Sequence, residues 1–188
     1  MRRFFVWPIA LILLVLLCPA SSLQAKPMLH GEEEVYFSPK GGCTEAVVKN
    51  LVQAEKSVLV QAYSFTSLPI AEALVNAHKR GVKVRVLLDK SQRRGKGSKL
   101  ELLVNAGIPV SIDTKHSIAH NKVMIIDGVT VITGSFNFTG AAEDKNAENL
   151  LVVHDKVVAK KYRNNWNSHS KHSEAYSVHV SEDNRSTR

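Results

Sequence analysis

The sequence predicts an α/β fold in a single domain: a mixed β-sheet with helices on both of its faces. In the first half of the chain, segments with the two-residue period of strands alternate with segments of helical period. In the second half, two apolar segments flank Asp127-Gly128, a tight hairpin sequence that indicates antiparallel strands. The 188 residues are enough to bury one hydrophobic core.

The first half supplies four strands and three helices. Strands are predicted at 35–37, 57–63, 82–88 and 108–112, and helices at 44–55, 67–80 and 98–107. The first helix carries four apolar residues on one face. In the second helix, Pro69 lies in the first turn and Gly81 ends it. Ser98 and Glu101 form a capping box for the third.

The second half supplies a hairpin, one further strand and a long helix. Strands are predicted at 122–126, 130–133 and 149–153, and a helix at 155–167. In that helix Val158, Tyr162 and Trp166 follow one another at four-residue spacing, which indicates a face packed on the core. From Ser168 onward the chain is polar and is expected to be a disordered tail.

The N-terminus has the pattern of a signal peptide. Arg2 and Arg3 precede a short apolar run at 4–17, and Ala25 offers a small residue before a cleavage point. The expected divisions are a signal peptide at 1–25, a folded domain at 26–167 and a tail at 168–188. The protein is therefore expected to be secreted or periplasmic, with an uncleaved membrane anchor as the alternative. Cleavage leaves Cys43 as the one cysteine, so no intrachain disulfide is expected.

The charge balance favours an acidic partner. The chain has 25 Lys and Arg against 17 Asp and Glu, a formal net charge of +8. Nucleic acid, an anionic lipid surface or a phosphate-bearing substrate all fit such a balance, and so does a charge that serves solubility alone. The densest basic cluster is either a nucleic-acid track or a solvated loop. It consists of Arg93, Arg94, Lys96 and Lys99.

A group of polar residues in the second half has the chemistry of a phosphate site. His120 and Lys122 lie two apart at the start of a strand, so they share a face. An imidazole can react at phosphorus while a neighbouring ammonium balances the charge of the phosphate. The two side chains together therefore suit a phosphate site. Ser135 and Asn137 share a face in the same way and can donate hydrogen bonds. The Glu148 carboxylate is suited to fixing the tautomer of a histidine.

These residues resemble the phospholipase D superfamily, whose motif H-x-K-x4-D is met by His120, Lys122 and Asp127. Gly134-Ser135 matches the Gly-Ser that follows in the family. The run TGSFNFTGAAEDKNAENLLV and the earlier AYSFT look like the small bacterial periplasmic endonucleases of this superfamily. The resemblance extends from about residue 35 to residue 166.

The resemblance implies a role for each matched residue. It assigns catalysis to His120, Lys122, Asp127 and Glu148, and phosphate binding to Lys122, Ser135 and Asn137. His120 would attack phosphorus to form a phosphohistidine, with Glu148 orienting its ring. Asp127 would support the motif strand and its charge balance. Neither a cofactor nor a metal is implied.

The chain carries one copy of the motif, whereas many superfamily members carry two. His169-Ser170-Lys171 begins like a second copy, but Tyr176 stands where the aspartate is needed. The chemistry needs two histidines, one to attack and one to protonate the leaving oxygen. We therefore expect a symmetric homodimer in which His120 of both chains meets at the two-fold axis. Two such imidazoles titrate as a coupled pair and give a bell-shaped pH profile.

The expected function is metal-independent cleavage of DNA with little sequence preference, and RNA is left open as a second substrate. A phospholipase D that hydrolyses a head-group ester is an alternative, because the same site performs that chemistry. A membrane-anchored member resembling the mitochondrial cardiolipin hydrolases is another. A nucleic-acid-binding protein without catalytic activity is the remaining alternative.

A metal site near the motif is weighed as well. His116 lies four residues before His120, and Asp113 is close in sequence. The segment does not look helical, so this spacing is interpreted as accidental, with Asp113 in a solvated loop. The histidines that follow residue 168 are expected to be disordered.

Overall fold

The computed structural model describes residues 32–177, which form one eight-stranded sheet with helices on both faces. The strands are β1 Glu33–Ser38, β2 Ser57–Ala62, β3 Lys83–Asp89, β4 Val110–Asp113, β5 Lys122–Ile126, β6 Thr130–Gly134, β7 Glu148–His154 and β8 Glu174–Tyr176. The helices are α1 Cys43–Gln53, α2 Leu68–Lys79, α3 Leu100–Asn105, α4 Gly140–Asp144 and α5 Lys156–Ser170. No helix in this range has both the length and the apolar character needed to cross a bilayer. The expected signal peptide lies outside the described residues.

The sheet is mixed, as the sequence predicts. Its strand order is β1-β7-β6-β5-β2-β3-β4-β8. Strands β2, β3 and β4 are parallel, and every other neighbouring pair is antiparallel. The parallel part comes from the β-α-β alternation of the first half, and the antiparallel part begins at the predicted hairpin.

The two faces of the sheet bury different helices. Alternate strand residues such as Val60 and Val86 pack against α1, α2 and α3 in the larger hydrophobic cluster. Strand residues that point to the opposite face, such as Val123 and Val131, pack against α5 in a smaller hydrophobic cluster. Trp166 of α5 is 1% exposed, and its indole N–H donates to the Val60 carbonyl at 2.9 Å. Helix α5 is therefore held to the second face by its predicted apolar stripe.

The Asp127-Gly128 turn forms as predicted and also anchors the start of β2. Both residues have positive φ, 54° and 69°, as a type I′ hairpin requires. The Asp127 carboxylate accepts hydrogen bonds from the backbone N–H groups of Glu55, Lys56 and Ser57 at 2.7–2.9 Å. Burial alone raises the pKa of Asp127, but these three hydrogen bonds outweigh it and lower the pKa below its usual value.

The C-terminal boundary of the domain is corrected by the structure. Residues 168–177 are not a disordered tail, because α5 continues to Ser170 and β8 pairs antiparallel with β4. The Glu174 carboxylate accepts from Thr114 and from Arg93, which fixes β8 in place. Strand β8 pairs with the backbone N–H and C=O groups at the free edge of β4. Because β8 is polar, it has no apolar pattern from which it could be predicted. Residues 178–188 of the expected tail lie outside the described range.

Helix α4 is a second difference from the sequence prediction. It is a single short helix after Thr139, whose hydroxyl accepts from the backbone N–H of Ala142 at 3.1 Å. Of its five residues Ala142 alone is buried. A helix this short has too few apolar positions to show a period.

Replacing Asp127 by Asn should lower stability in a pH-dependent way. Asn tolerates the positive φ but loses the charge that strengthens three hydrogen bonds, so the free energy of unfolding at pH 7 should fall by about 1–2 kcal/mol. Because the folded pKa is lowered, this contribution is complete above the unfolded pKa of about 4 and is lost as the pH falls through the folded pKa. Urea denaturation of both proteins at pH 7 and pH 3 measures the difference. Asp144→Asn, at an exposed carboxylate, is the control. A difference that is equal at both pH values would contradict this account.

Candidate active site

The predicted phosphate residues meet at one edge of the sheet. Strands β5, β6 and β7 are antiparallel neighbours, with Val123 opposite Thr133 and Gly134 opposite Leu150. The start of β5, the end of β6 and the start of β7 therefore lie side by side, next to the carboxyl ends of the parallel strands. An open cleft of about 380 Å³ lies there. It is lined by His120, Lys122, Gly134, Ser135, Asn137 and Glu148.

His120 and Lys122 form the centre of the cleft. The Lys122 ammonium lies 3.0 Å from each ring nitrogen of His120 and donates to the His120 carbonyl at 2.9 Å. Lys122 is 6% exposed, whereas His120 is exposed. Burial lowers the pKa of Lys122 and the nearby Glu148 carboxylate opposes that shift. The cleft thus combines a reachable imidazole with a cation that is fixed and poorly hydrated.

Gly134 lets the chain bring Ser135 into the cleft. Its φ is +146°, and a Cβ at this position would lie 2.3 Å from the Asn149 carbonyl oxygen. The Ser135 N–H donates to that carbonyl at 3.1 Å, and the Ser135 hydroxyl accepts from the Asn149 N–H at 3.0 Å. The hydroxyl hydrogen therefore stays available for a phosphate oxygen.

Asn137 is fixed by the two aromatic residues beside it. Phe136 and Phe138 are fully buried, and Phe138 packs edge-on against Phe65 with ring centroids 6.2 Å apart. Among the described residues, the Asn137 Oδ1 atom is buried and has no hydrogen-bond partner. Asn137 also lines the cleft, so its Nδ2 group is the part of this side chain that can donate to a phosphate oxygen.

Glu148 lies in the cleft, and its role toward His120 stays a prediction. In this structure its carboxylate accepts from the Asn146 side-chain amide at 3.1 Å. Its backbone N–H donates to Ser38 at 3.1 Å, which places the start of β7 beside β1. The carboxylate acts on the cleft through its charge, which favours the protonated form of Lys122.

Asp127 is not a cleft residue, which corrects its grouping with the catalytic residues. It follows β5 at the end opposite Lys122, five residues and about 16 Å away at the rise of a strand. The carboxylate is occupied by three backbone amides there. Asp127 therefore has a structural role. It supports the motif strand, as the resemblance implies.

His120 is held in place by two residues that were not predicted from the sequence. Asp89 ends β3, is 2% exposed, and accepts from the Ala119 N–H at 2.8 Å, directly before His120. Tyr63 follows β2 and its ring centroid lies 4.6 Å from that of His120. The signal for Asp89 is a carboxylate at the carboxyl end of an otherwise apolar strand, a position typical of α/β sites.

A separate group of histidines lies outside the cleft. Asp113 is 1% exposed, and the imidazoles of His116, His169 and His172 surround its carboxylate. The expectations of a solvated loop for Asp113 and of disorder for His169 and His172 are therefore wrong. Burial raises the pKa of Asp113, but hydrogen bonds from His169, His116 and His172 together hold it well below its usual range. His169 and His172 are more than 50 residues away from Asp113 in the sequence, so no local pattern predicts this grouping.

The fold and the cleft define a phosphodiester hydrolase built on a mixed α/β sheet. The chain belongs to the phospholipase D superfamily, because residues 47–170 match the family described as "Cardiolipin synthase, PLD-like domain". This confirms the family and the fold predicted from the motif.

Named relatives support the same family. A phospholipase D of Rickettsia felis is 48% identical over 139 residues, which cover 74% of this chain and 70% of that protein. A mitochondrial cardiolipin hydrolase of Xenopus tropicalis is 35% identical over 113 residues, which cover 60% of this chain and 54% of that protein. The chain thus aligns with only about half of the latter. The crystal structure of Nuc, a phospholipase D family member from Salmonella typhimurium, is 38% identical with a TM-score of 0.74 and covers 78% of this chain and 98% of that one.

Replacing Gly134 by Ala should damage both stability and the cleft. The new Cβ meets backbone rather than a flexible side chain, so the free energy of unfolding should fall by about 2 kcal/mol or more. Urea denaturation measures this. Gly140→Ala is the matched control, since a Cβ there meets nothing within 4 Å and should change stability little. Equal stability of the two variants would contradict the strain assigned to Gly134.

Proposed function

We propose that this protein is a metal-independent endonuclease that cleaves DNA through a phosphohistidine on His120, with RNA left open as a second substrate. The observation that carries the proposal is an exposed imidazole held against a buried ammonium, beside Ser135 and Asn137, in one open cleft. We also propose that the enzyme is a homodimer and that residues 1–25 direct its export.

The reaction proceeds in two displacements. A neutral His120 nitrogen attacks phosphorus, and the P–O bond to the leaving strand breaks as that oxygen takes a proton from a second histidine. Lys122, Ser135 and Asn137 stabilise the charge on the non-bridging oxygens. Water then attacks the phosphohistidine, giving its proton to the second histidine, and the P–N bond breaks. Both histidines end as they began.

The second histidine comes from another copy of the chain. Among residues 32–177, His120 is the one histidine that lines the cleft. It is exposed, and Ile118 two residues before it is 57% exposed, so the rim of the cleft has apolar surface available for a partner. A two-fold axis at this rim brings the two copies of His120 together with one set of contacts.

A basic loop at the same edge of the sheet favours nucleic acid as the substrate. Gln92 accepts from the Phe65 N–H at 3.1 Å, which holds the loop beside the end of β2. Arg94 and Lys96 in this loop are exposed. Arg93 is paired with Glu174, so it adds less free charge than the sequence suggests. Positive charge next to a phosphate cleft suits a polyanion that extends beyond the cleaved bond.

A phospholipid head-group ester is the alternative substrate. The names phospholipase D and mitochondrial cardiolipin hydrolase of the relatives favour it. Exposed Val35 and Phe37 on edge strand β1 offer an apolar contact. Salt separates the two substrates, because nucleic-acid affinity falls steeply with salt as phosphate contacts release counterions, whereas hydrolysis of a lipid with a neutral surface does not.

His120→Ala should abolish DNA cleavage that persists in EDTA. Loss of the nucleophile should lower the rate by at least about a thousandfold, and the exposed position should leave the fold intact. Cleavage of single- and double-stranded DNA by the purified protein with EDTA present measures this. His154→Ala, at a histidine bonded to Thr130 away from the cleft, should retain activity. Release of head groups from phospholipid vesicles without cleavage of either DNA would replace the nuclease with the phospholipase.

Removing the basic loop charges should weaken DNA binding without removing catalysis. The Arg94→Ala, Lys96→Ala double variant should bind DNA more weakly. The slope of log affinity against log salt should become shallower by about 1 for each phosphate that the variant no longer neutralises. Lys83→Ala is the control, because this exposed residue begins β3 at the opposite edge of the sheet. Equal effects of the loop variant and the control would contradict the proposed track.

A further inference from the structure

The histidine group outside the cleft joins three distant parts of the chain. Asp113 ends β4 and His116 lies in the loop that follows. His169 lies in the last turn of α5, and His172 lies in the turn before β8. The group therefore connects the C-terminal helix and strand to the edge of the sheet.

All three imidazoles point at one carboxylate oxygen. His116 Nδ1 and His169 Nδ1 each lie 2.9 Å from Asp113 Oδ2. His172 Nε2 lies 3.3 Å from the same oxygen. The ring centroids of the histidines are 4.8–5.4 Å apart. Three imidazole nitrogens thus surround one carboxylate oxygen, and all four of these atoms can ligate a metal.

The spacing of these atoms is close to that of a metal centre. One ligand atom from each residue lies within 4.8 Å of the others. A tetrahedral zinc with bonds of about 2.0–2.1 Å needs its ligand atoms about 3.4 Å apart. The nitrogen–oxygen separations already lie near that value, and the widest separation needs to shorten by about 1.4 Å. The half-buried side chains of His116 and His172 have room for that shift.

We propose that Asp113, His116, His169 and His172 bind one zinc ion. Imidazole and carboxylate ligands without thiolate suit Zn²⁺ among the abundant divalent metals. Four protein ligands close the coordination sphere, which is typical of structural rather than catalytic zinc. The ion replaces a crowded set of imidazole-to-carboxylate hydrogen bonds with bonds to one centre.

The zinc holds the segment that leads to His120. His116 is four residues before His120, and its carbonyl accepts from Lys90 at 3.1 Å, next to the Asp89 that holds Ala119. Binding therefore fixes α5, β8 and this loop to the carboxyl end of β4. The role is separate from the proposed nuclease chemistry, because none of the four ligands lines the cleft.

Zinc titration of the metal-stripped protein tests the site. Protein treated with EDTA and freed of chelator should bind one Zn²⁺ per chain with an apparent Kd below about 1 µM, measured by competition with a chromophoric chelator. The midpoint of thermal unfolding should rise by several degrees on binding. Cobalt(II) in place of zinc should give the strong visible absorption of a tetrahedral site.

Variants separate this site from casual binding by surface histidines. His172→Gln and His169→Gln avoid the buried carboxylate, so the chain should fold, and each should weaken zinc binding at least about a hundredfold. His154→Gln, outside the group, should bind zinc as the parent protein does. Binding of well under one zinc per chain, unchanged affinity in both ligand variants, or an equal loss in His154→Gln would each overturn the proposal.

Discussion

Backbone hydrogen bonds between β5, β6 and β7 bring Lys122, Gly134 and Glu148 to one edge of the sheet, where the cleft lies. With Val123 opposite Thr133 and Gly134 opposite Leu150, the start of one strand, the end of the next and the start of the third share one edge. A shift of one residue in the pairing of β5 would turn Lys122 to the other face of the sheet. The Asp127-Gly128 turn sets this register, and the Asp127 carboxylate ties the turn to the start of β2. The motif aspartate thus serves the cleft from the far end of its strand.

The cleft was largely predictable from the sequence because its residues are close together in the chain. His120 and Lys122 are two residues apart and in contact, and Ser135 follows a short hairpin, so local geometry brings them together. Asp127 was grouped with the catalytic residues because a motif shows that a residue type is needed without showing what it touches, whereas its predicted support of the motif strand is seen in the structure. Asp89 and Tyr63 were missed, since parallel pairing of β2 with β3 brings their ends to the edge from elsewhere in the sequence.

The C-terminal segment shows where local pattern has no information. Residues 168–177 are polar, so hydrophobic period predicts no structure for them. They are ordered by contacts made across the sheet, by β4 pairing with β8 and by Glu174 binding Arg93 and Thr114. The histidines that polarity alone assigns to a loose tail reach Asp113 for the same reason.

The proposed homodimer is the central claim, because the proposed reaction needs a second histidine beside the exposed His120. Mixing wild-type protein with His120→Ala, under conditions in which subunits exchange, tests it most directly. If each active site needs His120 from both chains, activity should follow the square of the wild-type fraction, so an equal mixture keeps about one quarter of the activity. Activity that falls in proportion to the wild-type fraction, with about half remaining, would show that each chain works alone and would contradict the account.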